Sequence, residues 1–220
     1  MINIKLQDFT ATIHRTSRDN GGQYDLIHVE CLIVSDQPIP ASEIWYIPNA
    51  RPIDPTFKIV FEQNNIAVVP IHGSIMDEKI KSTLDILQQA QSENQQETKA
   101  DIIALAQISC MTKTTLKVLE GTANNYILSY DYKLFPVTPN TFELKVTLPF
   151  PGFTIPDNGD EIQLTFVAPI GAIIDETLTK GVDDQNVDIL PQIAKPTNTR
   201  KQIVSFGYRK DPKFTIRYHY

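Results

Sequence analysis

Phe9-Thr10-Ala11-Thr12-Ile13-His14, Asp19-Asn20-Gly21-Gly22 and Ile27-His28-Val29-Glu30-Cys31-Leu32-Ile33 follow one another along the chain, and their pattern decides the fold. Apolar and polar side chains alternate on both sides of a turn whose Asn and Gly residues supply the positive φ angles of a tight hairpin. Alternate residues of a strand share a face, so Phe9, Ala11 and Ile13 must join Ile27, Val29, Cys31 and Ile33 on one side. A turn centred on Gly21 meets that condition. It places His14 opposite His28, and Thr12 opposite Glu30. The other face is itself partly apolar through Leu26, Leu32 and Val34, which predicts a sheet covered on both sides.

The same period of two recurs along the chain. Ile44 to Ile47 reads as a strand, and Phe57 to Gln63 with Ile66 to Val69 reads as a second hairpin through Asn64-Asn65. Leu116 and Val118 lead through a turn at Gly121 to Asn125 into Leu128, Tyr130, Tyr132 and Leu134 on one face. Phe142, Leu144, Val146 and Leu148 alternate cleanly, as do Ile162, Leu164, Phe166 and Ala168 after the Asp157-Asn158-Gly159-Asp160 turn. Gln202 to Tyr208 and Phe214 to Tyr220 form a last hairpin through Lys210-Asp211-Pro212. Between these, Gly171 to Thr199 has little regular pattern and reads as an acidic surface loop.

One segment has the helical period instead. Met76, Ile80, Leu84, Leu87 and Gln91 follow three-to-four spacing, Ser74 is placed to cap them, and Asp77 and Glu78 suit the positive end of the dipole. Leu84 is thereby read as a core residue. Asp101 to Ser109 fits either a buried strand or a short second helix. The prolines at 38, 40, 48, 52 and 55 exclude helix from the preceding stretch. The expected fold is mainly β (or α+β): an antiparallel β-sandwich of several hairpins with one covering amphipathic helix at about 75–91. It forms a single domain over 1–220, with the polar run near 92–100 the one place where it would subdivide.

Charge is distributed unevenly. Arg200 to Tyr220 carries Arg200, Lys201, Arg209, Lys210, Lys213 and Arg217 against Asp211, a net +5 within a chain of net −6, which leaves −11 on residues 1–199. An acidic body with a basic end favours head-to-tail contact between copies, or docking on a protein partner. The basic residues interleave with Phe206, Tyr208, Phe214, Tyr218 and Tyr220, a mixture that also suits nucleic acid, but the acidic body repels a phosphate backbone. The simpler reading points the aromatics inward and the cations outward. Phe150 and Phe153, in Pro149-Phe150-Pro151-Gly152-Phe153, are either tucked under the sandwich or offered to a partner as interface anchors.

Chemistry is sparse in the sequence. No phosphate-binding loop, nucleophile elbow, zinc-protease or dinucleotide signature occurs. His14 and His28 facing each other raise a metal site, yet with only Glu30 near them they lack the third ligand that zinc requires. His72 and His219 have no partner in sequence. Asp183, Asp184 and Asp188 lack the spacing of a calcium loop and read as solvated. Cys31 and Cys110, each alone among apolar residues, read as buried reduced thiols. No catalytic residue, metal or cofactor is assigned.

The N-terminus reads as a strand rather than a secretory signal, and no apolar run is long enough to cross a membrane, which places the chain in the cytoplasm when it folds. The expected role is a non-enzymatic subunit assembling with itself or another protein, by architectural analogy a virion component such as a phage tail or neck subunit. The alternatives are a small-ligand or nucleic-acid binding module, and an enzyme without a recognisable motif.

Overall fold

The computed structural model describes residues 4–51, 59–60, 69–93, 99–147, 162–183, 185–208 and 212–220. In chain order these hold β1 (Ile4–Arg15), β2 (Asp25–Ser35), β3 (Trp45–Pro48), β4 (Ile71–His72), α1 (Gly73–Glu93), α2 (Lys99–Ser109), β5 (Met111–Thr114), β6 (Lys117–Val118), β7 (Asn125–Leu134), β8 (Thr141–Thr147), β9 (Ile162–Val167), β10 (Ile173–Ile174), β11 (Lys180–Val182), β12 (Asp188–Ile189), β13 (Gln192–Ala194), β14 (Ile203–Tyr208) and β15 (Lys213–His219). The chain is mainly β, as its alternating pattern requires. No described helix is long and apolar enough to cross a membrane.

A seven-stranded sheet runs in the order β13-β14-β9-β1-β2-β7-β6. Its centre is the β1–β2 hairpin. Phe9 pairs with Cys31, Ala11 with Val29 and Ile13 with Ile27, and all six side chains are buried. The register nonetheless differs by one turn position from the expected one. Thr12 faces His28 and Thr10 faces Glu30, because the connection is centred on Asn20 rather than Gly21. A 3-10 turn over Ser17–Asp19 occupies the first half of the loop, and Gly21 and Gly22 supply left-handed φ angles of 74° and 83° on its far side. The pairing then steps by one between Ile13 and Arg15, so His14 falls in a bulge. One pair departs from the antiparallel pattern: β9 runs parallel to β1.

The second sheet contains β10-β15-β11-β12, with β8 along the other edge of β15. The two sheets face each other across an aromatic core. Phe206 of β14 meets Phe214 of β15 with ring centroids 4.6 Å apart, and Phe166 of β9 meets Tyr218 of β15 at 5.4 Å. The terminal strands are therefore not a hairpin. β14 pairs with β9 and β13, whereas β15 pairs with β8, β10 and β11. Inward aromatics on both strands gain more by packing face to face than by lying side by side in one sheet. The expected loop at 171–199 likewise contains β10, β11, β12 and β13, each two or three residues long, too short to show a period of two. Gly181 marks the closest approach here, since a Cβ at that position would lie 2.7 Å from the Phe214 ring.

Between β2 and β7, neighbours in the large sheet, the chain makes an excursion containing a small β4-β3-β5 sheet and both helices. The ambiguous 101–109 segment is α2. The helix expected at 75–91 is α1, which packs on β3, β4 and α2. Among the positions of α1 whose burial is described, Gly73, Met76 and Thr83 are buried and Ile80 is half-buried, while Leu84 is 50% exposed, so Met76 packs as expected but Leu84 is no core residue. Leu87 and Gln91 of the expected stripe lie outside the described side chains. Thr83 tolerates burial because its hydroxyl donates to the Lys79 carbonyl at 2.8 Å. The second hairpin expected at 57–69 lies almost wholly outside the described residues, and the two described positions within its first strand, Ile59 and Val60, are helical.

Candidate functional site

The outer face of the large sheet carries His14 on β1, His28 on β2 and Asp131 on β7. His28 pairs directly with Asp131 across the β2–β7 ladder, and its Nδ1 lies 2.8 Å from Asp131 Oδ1. His14 is offset along β1 rather than opposite His28, yet the bulge turns its ring onto that of His28, with centroids 4.9 Å apart and planes 17° from parallel. One ligand atom from each of the three side chains falls within 4.8 Å of the other two. The expectation of a histidine pair holds in space, and a carboxylate that the sequence did not place beside it, Asp131, joins the pair. Sequence reasoning overlooked Asp131 because it takes the β7 neighbour of β2 to bring it there, a pairing about a hundred residues distant in the chain. Glu30, two residues along the same face, adds a further negative charge, whereas the Lys133 ammonium is held over the Tyr24 ring at 4.8 Å.

On the opposite outer face the basic end has a definite geometry. β15 alternates, with Phe214, Ile216 and Tyr218 buried and Lys213, Thr215, Arg217 and His219 outward. Thr215 is flanked by Lys180 on β11 and Lys145 on β8, with Lys213 and Arg217 two residues to either side of it along β15. Four cations thus surround one threonine, accompanied by Glu143 and Asp188. Glu143 lies 3.5 Å from Lys145 and 3.7 Å from Arg217, and Asp188 lies 3.5 Å from Lys180. Lys145 and Lys180 were not among the expected interface residues, since only strand pairing brings them to β15. Arg200 is exposed and Lys201 half-buried, both before β14 and apart from the Lys213 face in sequence. Phe150, Phe153, Arg209 and Lys210 lie outside the described residues.

Two further polar clusters hold the fold. Asp25, fully buried, accepts the Ser17 amide at 2.6 Å, the Tyr218 hydroxyl at 2.6 Å and the Tyr220 hydroxyl at 2.8 Å. His72, read as partnerless, bonds Glu43 through Nε2 at 2.7 Å and the Ser74 hydroxyl through Nδ1 at 2.8 Å. That connectivity resembles an activated serine. The Ser74 amide, however, also points at His72 Nδ1 at 3.4 Å, and Ser74 lies inside α1, so His72 and not Ser74 caps the helix. Edge-to-face contact with Trp45 at 4.8 Å fixes the imidazole against β3. Asp183 is an internal turn residue, its carboxylate taking the Gln185 and Val187 amides. Cys31 and Cys110 are buried free thiols, and burial pushes the Cys31 thiol well above its ordinary range.

No known family matches this sequence, and no curated protein is similar to it.

Proposed function

We propose that this chain is a non-enzymatic assembly subunit that associates with copies of itself through opposite outer faces of its sandwich. The reading rests on the sign of those faces. Lys145, Lys180, Lys213 and Arg217 outnumber Glu143 and Asp188 on the outer side of the β8–β15–β11 ladder, while Asp8, Glu30 and Asp131 lie on the outer side of the β1–β2–β7–β6 strands against Lys133 and Lys117. Faces of opposite charge on one molecule steer copies into head-to-tail register. Exposed apolar side chains beside the short edge strands β12 and β13, Val187 and Leu190, add a contact of the kind that unpaired edges attract.

Sedimentation at low and high salt tests the reading. Wild type at low salt is expected to be larger than a monomer and to shift toward monomer near 1 M salt, where the screening length falls to about 3 Å. The double variant Lys180→Glu with Lys213→Glu should be monomeric at low salt with an unchanged unfolding midpoint, because exposed charges contribute little to the fold of one chain. A wild type that stays monomeric at low salt and high protein concentration refutes self-assembly. Assembly that persists at high salt and in the double variant refutes the charged faces and points to the apolar edge.

A further inference from the structure

His14, His28 and Asp131 meet on neighbouring strands, and the geometry points to a binding site for one divalent late-transition cation, with zinc as the representative ion. Imidazole nitrogen and carboxylate oxygen are borderline donors that suit zinc, cobalt, nickel or copper rather than magnesium or calcium, whose sites are built from oxygen. The 2.8 Å between His28 Nδ1 and Asp131 Oδ1 is about the separation of two ligands that each sit about 2.0–2.1 Å from one ion at a right angle. That pair already spans one edge of a coordination shell, with a proton where the ion would enter.

The third ligand has to close in. Two ligands at such bond lengths are never more than about 4.2 Å apart, and here the widest separation reaches 4.8 Å. His14 can supply the movement because it is exposed and sits in the bulge, where no cross-strand partner fixes it. As the cation takes the place of the proton between His28 Nδ1 and Asp131 Oδ1, a neutral His28 shifts that proton to Nε2 through solvent and a protonated His28 gives it up to solvent. Either way, two neutral imidazoles and one carboxylate hold the ion with a net charge of +1. The site opens outward. Three protein ligands leave at least one coordination position for water, as in sites where a metal acts on a bound molecule and unlike closed four-ligand structural sites.

Calorimetric titration of the untagged full-length protein with zinc chloride, and visible spectroscopy with cobalt chloride, test this directly. Binding of one ion per chain is expected, with cobalt d–d bands that zinc abolishes and magnesium does not. His14→Ala, His28→Ala and Asp131→Asn should each lower zinc affinity by at least about tenfold while the far-ultraviolet circular dichroism stays that of wild type. His28→Gln and His14→Gln, which keep a polar side chain on the sheet, should show the same loss if either alanine variant fails to fold. Absence of saturable binding up to millimolar zinc overturns the site. So does an Asp131→Asn protein that binds zinc as tightly as wild type, since the three-ligand geometry is then not what holds the ion.

Discussion

Asp25 is the side chain on which the two sheets are joined. It lies at the start of β2 in the large sheet, yet two of its three donors, the Tyr218 and Tyr220 hydroxyls, come from the end of β15 and the residue that follows the second sheet's last strand. A buried carboxylate is tolerated only when its lone pairs are filled, and here the Ser17 amide completes the set. The Arg18 guanidinium stacks 4.5 Å above the Tyr220 ring and donates to the Ile170 carbonyl, closing the same corner. Tyr218→Phe removes a hydrogen bond to a charged acceptor and should cost about 1.5–3 kcal/mol in urea unfolding. Burial, then Asp25, raises the Tyr218 phenol well above its ordinary range, and burial first, then the Asp25 hydrogen bond, raises Tyr220. Burial also raises Tyr130 and Tyr132. The native state thus holds these protons more tightly than the unfolded chain, so their stabilisation is complete below the unfolded phenol value of about 10 and declines as pH rises above it. Absorbance at the phenolate band during alkaline titration should show these tyrosines ionising only as the protein unfolds, and Tyr218→Phe, less stable than wild type at neutral pH, should lose less of its stability as pH rises above about 10. Nothing in Gln23-Tyr24-Asp25 announces this role in the sequence, because the partners are nearly two hundred positions away. Cys31, in contrast, was readable as a buried thiol from its alternating apolar neighbours alone.

What could be read locally is the identity of the long alternating strands and of α1, and what could not is the nature of 101–109, the short strands within 171–199, or which neighbour each strand takes. The alternation of Phe142, Leu144 and Val146, or of Leu164, Phe166 and Ala168, states which side is buried, and all six are. The separation of β14 from β15 into facing sheets depends on long-range packing of Phe206 on Phe214, which no turn signal reports. Helix α1 shows the same limit at finer grain. Apolar spacing fixes that 73–93 is a helix, but Leu84 and Thr83 differ by only one step around its axis, and the packing partners β3, β4 and α2 select the face with Met76 and Thr83. Met76→Ala should therefore cost about 2–5 kcal/mol, and Leu84→Ala should stay within about 0.5 kcal/mol of wild type. Equal losses in chemical unfolding of the two variants would show that a further element covers Leu84.

For the molecule as a whole, the charge asymmetry legible in the last twenty-one residues is only half of the pattern that the sandwich makes. Lys213 and Arg217 were visible as a basic end, but β8 and β11 bring Lys145 and Lys180 beside them, and the carboxylates of Asp8, Glu30 and Asp131 become one face only because β1, β2 and β7 are adjacent. In the proposed assembly, two different patches would give a heterologous contact, each copy using its basic face on one neighbour and its acidic face on another. Such a contact has a signature that a two-fold symmetric dimer lacks. Lys180→Glu with Lys213→Glu disables the basic face and leaves the acidic one, whereas Glu30→Lys with Asp8→Lys does the reverse. Each variant alone should be monomeric at low salt. Mixed in equal amounts, the intact acidic face of the first meets the intact basic face of the second, and light scattering should report association that neither variant shows alone. The two reversed faces are themselves of opposite sign, so the mixture can extend beyond dimers. An isologous interface would fail this complementation, since every pairing would need the same patch on both partners. Failure of the mixture to associate, with wild type still assembling at low salt, would replace head-to-tail stacking by a symmetric contact.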